Sequence, residues 1–334
     1  MTPQDLELFG NLPKDEQQLR EQLEQGQLNR LFDSVFKFVV CKNEESPIFL
    51  DLANAFVFPN GEYEFKKIRL IDREKSPTRI KGKGSRLDAL AILDDDQINL
   101  EVQIGYESGF KKRSLLYWSL VHSEQLNRGD LYSKIARTIS VNILGFDQFK
   151  NSAGFRRSFS VRDDESGERL NDDLLIIYLE LQKYLRICAQ PRNKLEDWMA
   201  YFAGKGGREM EQIAEREPMI AEALDREKLF LMSEEQRLAY ILDWKQMMDE
   251  ADREYRLRER DAQLQERDYQ LKEVDRQLQE RDHQLKEADQ KLTSAKYDNS
   301  IEIARRFLSN GIPPEIVARN TDLSLKEVQD LADK

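Results

Sequence analysis

The stretch RLDALAILDDDQINLEVQI, residues 86–104, sets two apolar runs on either side of three aspartates, and its reading decides the fold. Asp94, Asp95 and Asp96 supply turn chemistry, so RLDALAIL (86–93) and QINLEVQI (97–104) are predicted as the two strands of one hairpin. In the second strand Asn99, Glu101 and Gln103 point to one face and Leu100, Val102 and Ile104 to the other. Asp88 interrupts the first apolar run, where a carboxylate is costly unless it meets a cation or a metal. With the strands side by side, Asp88 and Glu101 can converge on one hard divalent ion, which takes oxygen ligands, with Gln103 one pleat further along. The bland alternative is an exposed acidic face on a hairpin, since an Asp followed at a distance by Glu-x-Gln arises by chance in many chains.

Outward from the hairpin the pattern stays mixed. IFLDLANAFV (48–57) reads as an amphipathic helix and EFKKIRLID (64–72) as a strand. Residues 109–128 return to helical spacing through Leu116, Leu120 and Leu126, and TISVNILGF (138–146), RRSFSVR (156–162) and LLIIYLEL (174–181) read as further strands. This order predicts an α/β core, a mixed central sheet flanked by helices.

The 334 residues allow about two domains at roughly 150 residues each. A net charge of −11 argues against a general polyanion-binding coat, because a duplex attracts proteins through Lys and Arg. Cys41 and Cys188 stand far apart, and with only His122 and His283 no zinc cluster can form; His122 reads as a packed helix histidine. The opening MTPQDLELFGNLPKDEQQ lacks the basic start and apolar run of a signal peptide, and no apolar stretch approaches the ~20 residues that span a bilayer. The expectation is a soluble, cytoplasmic protein without a membrane partner.

Between Asp252 and Asp298 the chain repeats RDAQLQE, RDYQLKE, VDRQLQE and RDHQLKE, with Leu264, Leu271, Leu278, Leu285 and Leu292 seven apart. With the leucines at a, the d positions are Arg260, Arg267, Val274, Arg281, Ala288 and Ala295, a weak coiled-coil seam. The helix is predicted to start at Ser233 and to run to about Tyr297, either as a solvated single helix held by i,i+4 ion pairs or as a self-associating one. Beyond it, Ile303, Ala304, Phe307 and Leu308 form one apolar stripe, Gly311 suits a left-handed cap, Pro313 or Pro314 starts a second helix, and Ser324 caps a third. The unit is like a helix-turn-helix, but Lys326 beside Glu327 and Asp330 makes a poor groove reader, so packing or partner docking is the stronger role. The expected organisation is an N-terminal extension (1–28), an α/β domain (29–230), a long helix or coiled coil (231–298) and a C-terminal helical unit (299–334).

The stretches FDSVFK (32–37), FLDLANAF, RLDALA, INLEVQ, FKKRSLLYWSLVHSEQLNRGDLY and LNDDLLIIYLELQK together, from about Leu31 to Lys183, closely resemble the recombination-promoting nuclease family, also described as transposases, of the PD-(D/E)XK superfamily. The resemblance implies a PD-(D/E)XK nuclease-like core and Mg²⁺- or Mn²⁺-dependent endonucleolytic cleavage of DNA. It makes Asp88 the family aspartate and Glu101 the second acid, both metal ligands, with Gln103 where the superfamily has Lys. Asp33 takes the acidic position of the D-x-x-F-K motif, completed by Phe36 and Lys37, and also reads simply as a helix N-cap. Arg113, Tyr117, Gln125 and Tyr132 match the family's downstream helix and loop, although Arg113 also reads as a structural or phosphate-positioning cation and the two tyrosines as core.

An amide at Gln103 supplies neither positive charge nor a transferable proton, so Lys111 or Lys112, at the start of the next helix, is the expected substitute. Residues 61–90 carry nine basic side chains against five acidic ones, and the loop KGKGSR with Lys81, Lys83 and Arg86 leads directly to Asp88. These residues, with Lys112, are the expected DNA contacts, extended by Arg113 and by Arg156 and Arg157; an ordinary solvated loop is the alternative. A dimer through the long helix would let two sites cut both strands. The competing expectation is a catalytically inactive nuclease fold that serves DNA binding or coiled-coil assembly.

Overall fold

The computed structural model describes residues 13–71, 87–107, 109–127, 129–188 and 190–333. Two compact units divide the chain, Met1–Arg256 and Leu257–Lys334. In the first, helices α1 (Glu16–Glu24), α2 (Asp33–Val40) and α3 (Pro47–Val57) precede strands β1 (Ile68–Leu70), β2 (Ala89–Leu93) and β3 (Asp96–Gln103). Helix α4 (Phe110–Ser123), then β4 (Thr138–Leu144), β5 (Arg156–Phe159) and β6 (Leu174–Glu180) follow. The helices α5 (Leu181–Ile187), α6 (Lys194–Phe202), α7 (Gly207–Arg216), α8 (Pro218–Met232) and the 76-residue α9 (Glu234–Ser309) come next.

The six strands form one mixed sheet in the order β1-β2-β3-β4-β6-β5. β2 and β3 are the predicted hairpin, antiparallel with Ala89 opposite Leu100 and Leu93 opposite Asp96, and Asp94 turns the chain at φ 52°. β3, β4 and β6 run parallel, with β4 buried at every position, as an interior parallel strand must be. The predicted strands at 64–72 and 156–162 are shorter than expected, being three and four residues long.

Alternation divides the sheet into two unlike faces. Ile98, Leu100, Ile139, Val141, Ile143, Leu175 and Ile177 join one large core with Phe36, Phe49, Phe56, Trp198 and Phe230 from the helices. The opposite face, covered by α4, buries polar groups instead: Asn99, Glu101, Thr138, Ser140 and Asn142. Trp118 Nε1 of α4 donates to Thr138 O at 2.8 Å, and His122 Nδ1 lies 3.0 Å from Thr138 Oγ1 while its ring stacks on Trp118, so His122 is the packed histidine predicted.

The helices at 181–232 are absent from the sequence reading, which ends in strands. α6 is KLEDWMAYF, buried at seven of nine positions, so no polar stripe marks its period. Helix α1 lies within the expected N-terminal extension, yet Leu19 and Leu23 belong to the same core as the sheet. α9 begins as predicted, with the Gln236 N–H donating to Ser233 Oγ at 3.3 Å. Its first turns are core: Tyr240 packs edge-on against Phe32 at 4.7 Å, and Trp244 Nε1 donates to Pro13 O at 3.1 Å.

In the second unit α9 continues to Ser309, past the expected end at Tyr297, because no Gly or Pro interrupts residues 294–309. The stripe at Ile303–Leu308 is therefore the end of the long helix, not a separate first helix. α10 (Pro314–Asn320) and α11 (Leu325–Ala332) follow Gly311 at φ 77°, and Ser324 and Glu327 form a capping box. Ala304, Val317, Leu323 and Val328 make the small core. Among the described residues no helix is long and apolar enough to cross a membrane.

Candidate active site

Asp88 stands one residue before β2 rather than inside it. One step beyond the Ala89–Leu100 pair, that position faces Glu101, on the polar side of the sheet. The Asp88 N–H donates to Glu101 Oε1 at 3.3 Å, and the Val102 N–H donates to Asp88 Oδ2 at 2.8 Å. Oriented to satisfy both neighbours, the Asn99 amide donates to Ala89 O at 3.1 Å and to Glu101 Oε1 at 3.2 Å. Both carboxylates are thus brought together and held by donors of the hairpin itself.

Glu101 is buried and Asp88 half-buried, and the desolvation of both is electrostatically costly. Desolvation pushes the Asp88 carboxyl up to about 6, Asp33 adding to the rise while the Val102 N–H, Lys37 and Arg113 oppose it. Glu101 is raised well above the usual carboxylate range by desolvation and then by Asp88, with Arg113 opposing. Two carboxylates forced together in a partly desolvated site are short of positive charge. Among the described residues no three His, Cys, Asp or Glu side chains gather as a ready-made metal cage. Two carboxylates nevertheless suit Mg²⁺ or Mn²⁺, hard ions that bind through one or two carboxylates and leave the remaining positions to water and phosphate.

Asp33 and Lys37 lie near this pair on α2, joined to each other at 2.7 Å. Asp33 is the first residue of the helix and makes no cap; the free donor at the helix start, the Ser34 N–H, is taken by Asp243 Oδ2 of α9 at 2.8 Å. Asp33 Oδ1 is buried without a hydrogen-bond partner among the described residues. Cys41, next to the same groups, is pushed up to about 12 by desolvation, with Asp88 and Asp33 adding and Lys37 opposing. Neither Asp243 nor Cys41 was recognised in the sequence, because each reaches the site only through tertiary packing.

Gln103 accepts from Arg113 Nη2 at 2.6 Å and donates from Nε2 to Gly105 O at 3.1 Å. Arg113 also pairs with Glu107 and lies over the rings of Phe110 and Tyr117. The guanidinium, rather than a lysine, is therefore the cation at Gln103. Of the two lysines expected there, Lys111 has its Nζ 4.6 Å from the ring of Phe149, and Lys112 is exposed. Tyr117 is core, packed with Leu87, Leu90 and Val121, whereas Tyr132 is not, being 85% exposed. Gln125 ties down the chain before β4, donating to Ala136 O and Thr138 Oγ1 and accepting from the Ala136 N–H.

Of the expected DNA contacts, Lys81, Lys83 and Arg86 lie outside the described residues. Arg156 does not extend a phosphate surface: its guanidinium donates to Phe56 O and Val57 O at the end of α3. A family model described as PD-(D/E)XK nuclease family transposase matches residues 30–255. No curated protein and no solved structure matches the chain.

Proposed function

Because the chain belongs to the PD-(D/E)XK nuclease family transposases, we propose that its α/β unit is a Mg²⁺- or Mn²⁺-dependent DNA endonuclease that hydrolyses phosphodiester bonds with an activated water. The observation that carries this reading is the pairing of Asp88 with Glu101 in a desolvated site whose charge calls for a cation. Asp88 and Glu101 would hold the ion. When bound, a divalent ion supplies Lewis acidity toward the scissile phosphate and lowers the pKa of a coordinated water.

The remaining work falls to the chain's own side chains. The Val102 N–H fixes Asp88, and Asn99 with the Asp88 N–H fixes Glu101, so neither carboxylate is free to swing. Gln103 presents no charge, but by accepting from Arg113 it holds a guanidinium where a phosphate oxygen would approach. Lys37, aligned by Asp33, is a second nearby cation. The test is plasmid nicking with and without Mg²⁺: the parent is expected to nick only with the metal and Asp88→Ala not at all. Equal nicking by Asp88→Ala would sink the assignment.

The long helix supports a second element of the reading, a homodimer. Leu264, Leu271, Leu278, Leu285 and Leu292 are between 49% and 67% exposed, a row of leucines one heptad apart left in water by a single copy. In the C-terminal unit Val317 and Val328 are spent on the local core and Lys326 lies among acids, which supports packing or partner docking there.

A further inference from the structure

From the site toward the outer edge of the sheet runs an unbroken series of aromatic contacts. The Arg113 guanidinium lies 4.7 Å from the ring of Phe110, Phe110 is 6.4 Å from Tyr178, and Tyr178 is 5.0 Å from Phe149 and 5.6 Å from Phe159. Phe149 and Phe159 stack at 5.2 Å with their planes 27° apart. Cations are interleaved with the rings: Lys111 Nζ lies 4.6 Å from Phe149, and the Arg157 guanidinium 5.0 Å from Phe149 and 5.7 Å from Phe159.

Core closure accounts for the inner rings but not for the outer end. Tyr178 and Phe110 are buried, whereas Phe159 sits on β5, the terminal strand of the sheet, and is 37% exposed. Among the described residues neither Lys111 nor Arg157 pairs with a carboxylate, so both charges are available to an anion. A half-exposed ring beside two cations that have no carboxylate partner suits a strand that offers bases and phosphates together. A duplex keeps its base faces stacked inside, whereas an unpaired strand presents them to rings and its backbone to Lys and Arg. The planar guanidinium of Arg157, stacked on a ring, adds a further platform.

We propose that the outer end of this track, Phe159 with Lys111 and Arg157 around Phe149, receives an unpaired DNA strand, so that the substrate carries a single-stranded tail beside the bond to be cut. The inference rests on the nuclease reading for what happens at the inner end, and on the track alone for the binding.

The test measures binding in EDTA, where metal-dependent cleavage does not enter, using fluorescein-labelled oligo(dT) and a blunt duplex by fluorescence anisotropy. Loss of one base-stacking ring is expected to lower the ratio of oligo(dT) to duplex affinity about fivefold or more in Phe159→Ala. Phe159→Trp, which keeps a stacking face, is expected to hold the parental ratio. A smaller fall in Phe159→Ala, or an equal fall in Phe159→Trp, overturns the proposal. Nicking is scored separately: a protein that passes the binding test but never cuts with Mg²⁺ retains the track and loses the endonuclease assignment, and the reverse result does the opposite.

Discussion

Arg113 Nη2 donates to Gln103 Oε1 at 2.6 Å, joining the amide at the end of β3 to a guanidinium on α4. The positive charge associated with the strand position is thus delivered by a neighbour, through an acceptor that a lysine at the same place would not provide. Arg113→Gln is expected to lower metal-dependent nicking about 10²-fold, the usual cost of losing one positioned donor at a reacting centre. Gln103→Ala should cost a similar factor, and the double variant little more than either alone, since both changes release the same guanidinium. Additive losses in single-turnover rates would separate the two residues.

The desolvated acids predict an unusual dependence of stability on pH. A carboxyl whose folded pKa lies above its unfolded value binds more protons in the native state, so its stabilising contribution is complete below the unfolded pKa and is lost as pH rises through the folded one. With Asp88 moved from 3.8 to about 6, the metal-free protein should lose on the order of 2–3 kcal/mol between about pH 4 and pH 7, and Glu101 extends the loss upward.

Asp88→Asn keeps an acceptor for the Val102 N–H and removes the charge. It is expected to raise the metal-free Tm at pH 8 and to abolish the further rise that Mg²⁺ gives the parent. Thermal scans at pH 5 and pH 8, with and without Mg²⁺, read both effects; a lower Tm for Asp88→Asn at pH 8 would contradict the electrostatic account.

Lys183 and Glu180 form an ion pair with side chains 4% and 0% exposed. Glu180 Oε1 also accepts from the Gln148 and Phe149 N–H groups, and Lys183 Nζ donates to Phe149 O at 2.5 Å, so the pair pins the loop after β4. Lys183→Met leaves a buried carboxylate unpaired and is expected to cost about 3–5 kcal/mol in urea unfolding. Combining it with Glu180→Gln should recover part of that loss.

The leucine column makes a prediction independent of catalysis. Leu271→Glu with Leu278→Glu is expected to convert a dimer to a monomer in sedimentation equilibrium, with the Tm of the α/β unit unchanged. A parent that sediments as a monomer at every concentration tested would remove the dimer from the reading.

The hairpin and its alternation were legible because they are local: three aspartates make the turn, and period-two patterning sorts Glu101 from Leu100. The Ser324 cap was legible for the same reason. What failed to show depends on distant packing. Lys111 and Arg113 are equally plausible cations in one dimension, but two helical steps turn one toward Phe149 and the other toward Gln103. Arg156 looked available for phosphate until carbonyls a hundred residues earlier claimed it. The helix cap supplied by Asp243 comes from more than two hundred residues downstream, beyond the reach of any local pattern.

That cap has a practical corollary for anyone dissecting the chain. Asp243, Tyr240 and Trp244 lie on the first turns of α9 and touch Ser34, Phe32 and Pro13, so they are a wall of the α/β unit although they belong to the long helix. A truncation after Met232 would strip that wall from beside Asp33 and Lys37, whereas a cut after Arg256 spares it. Gene fusions that borrow this fold must therefore carry the root of the helix along with the sheet.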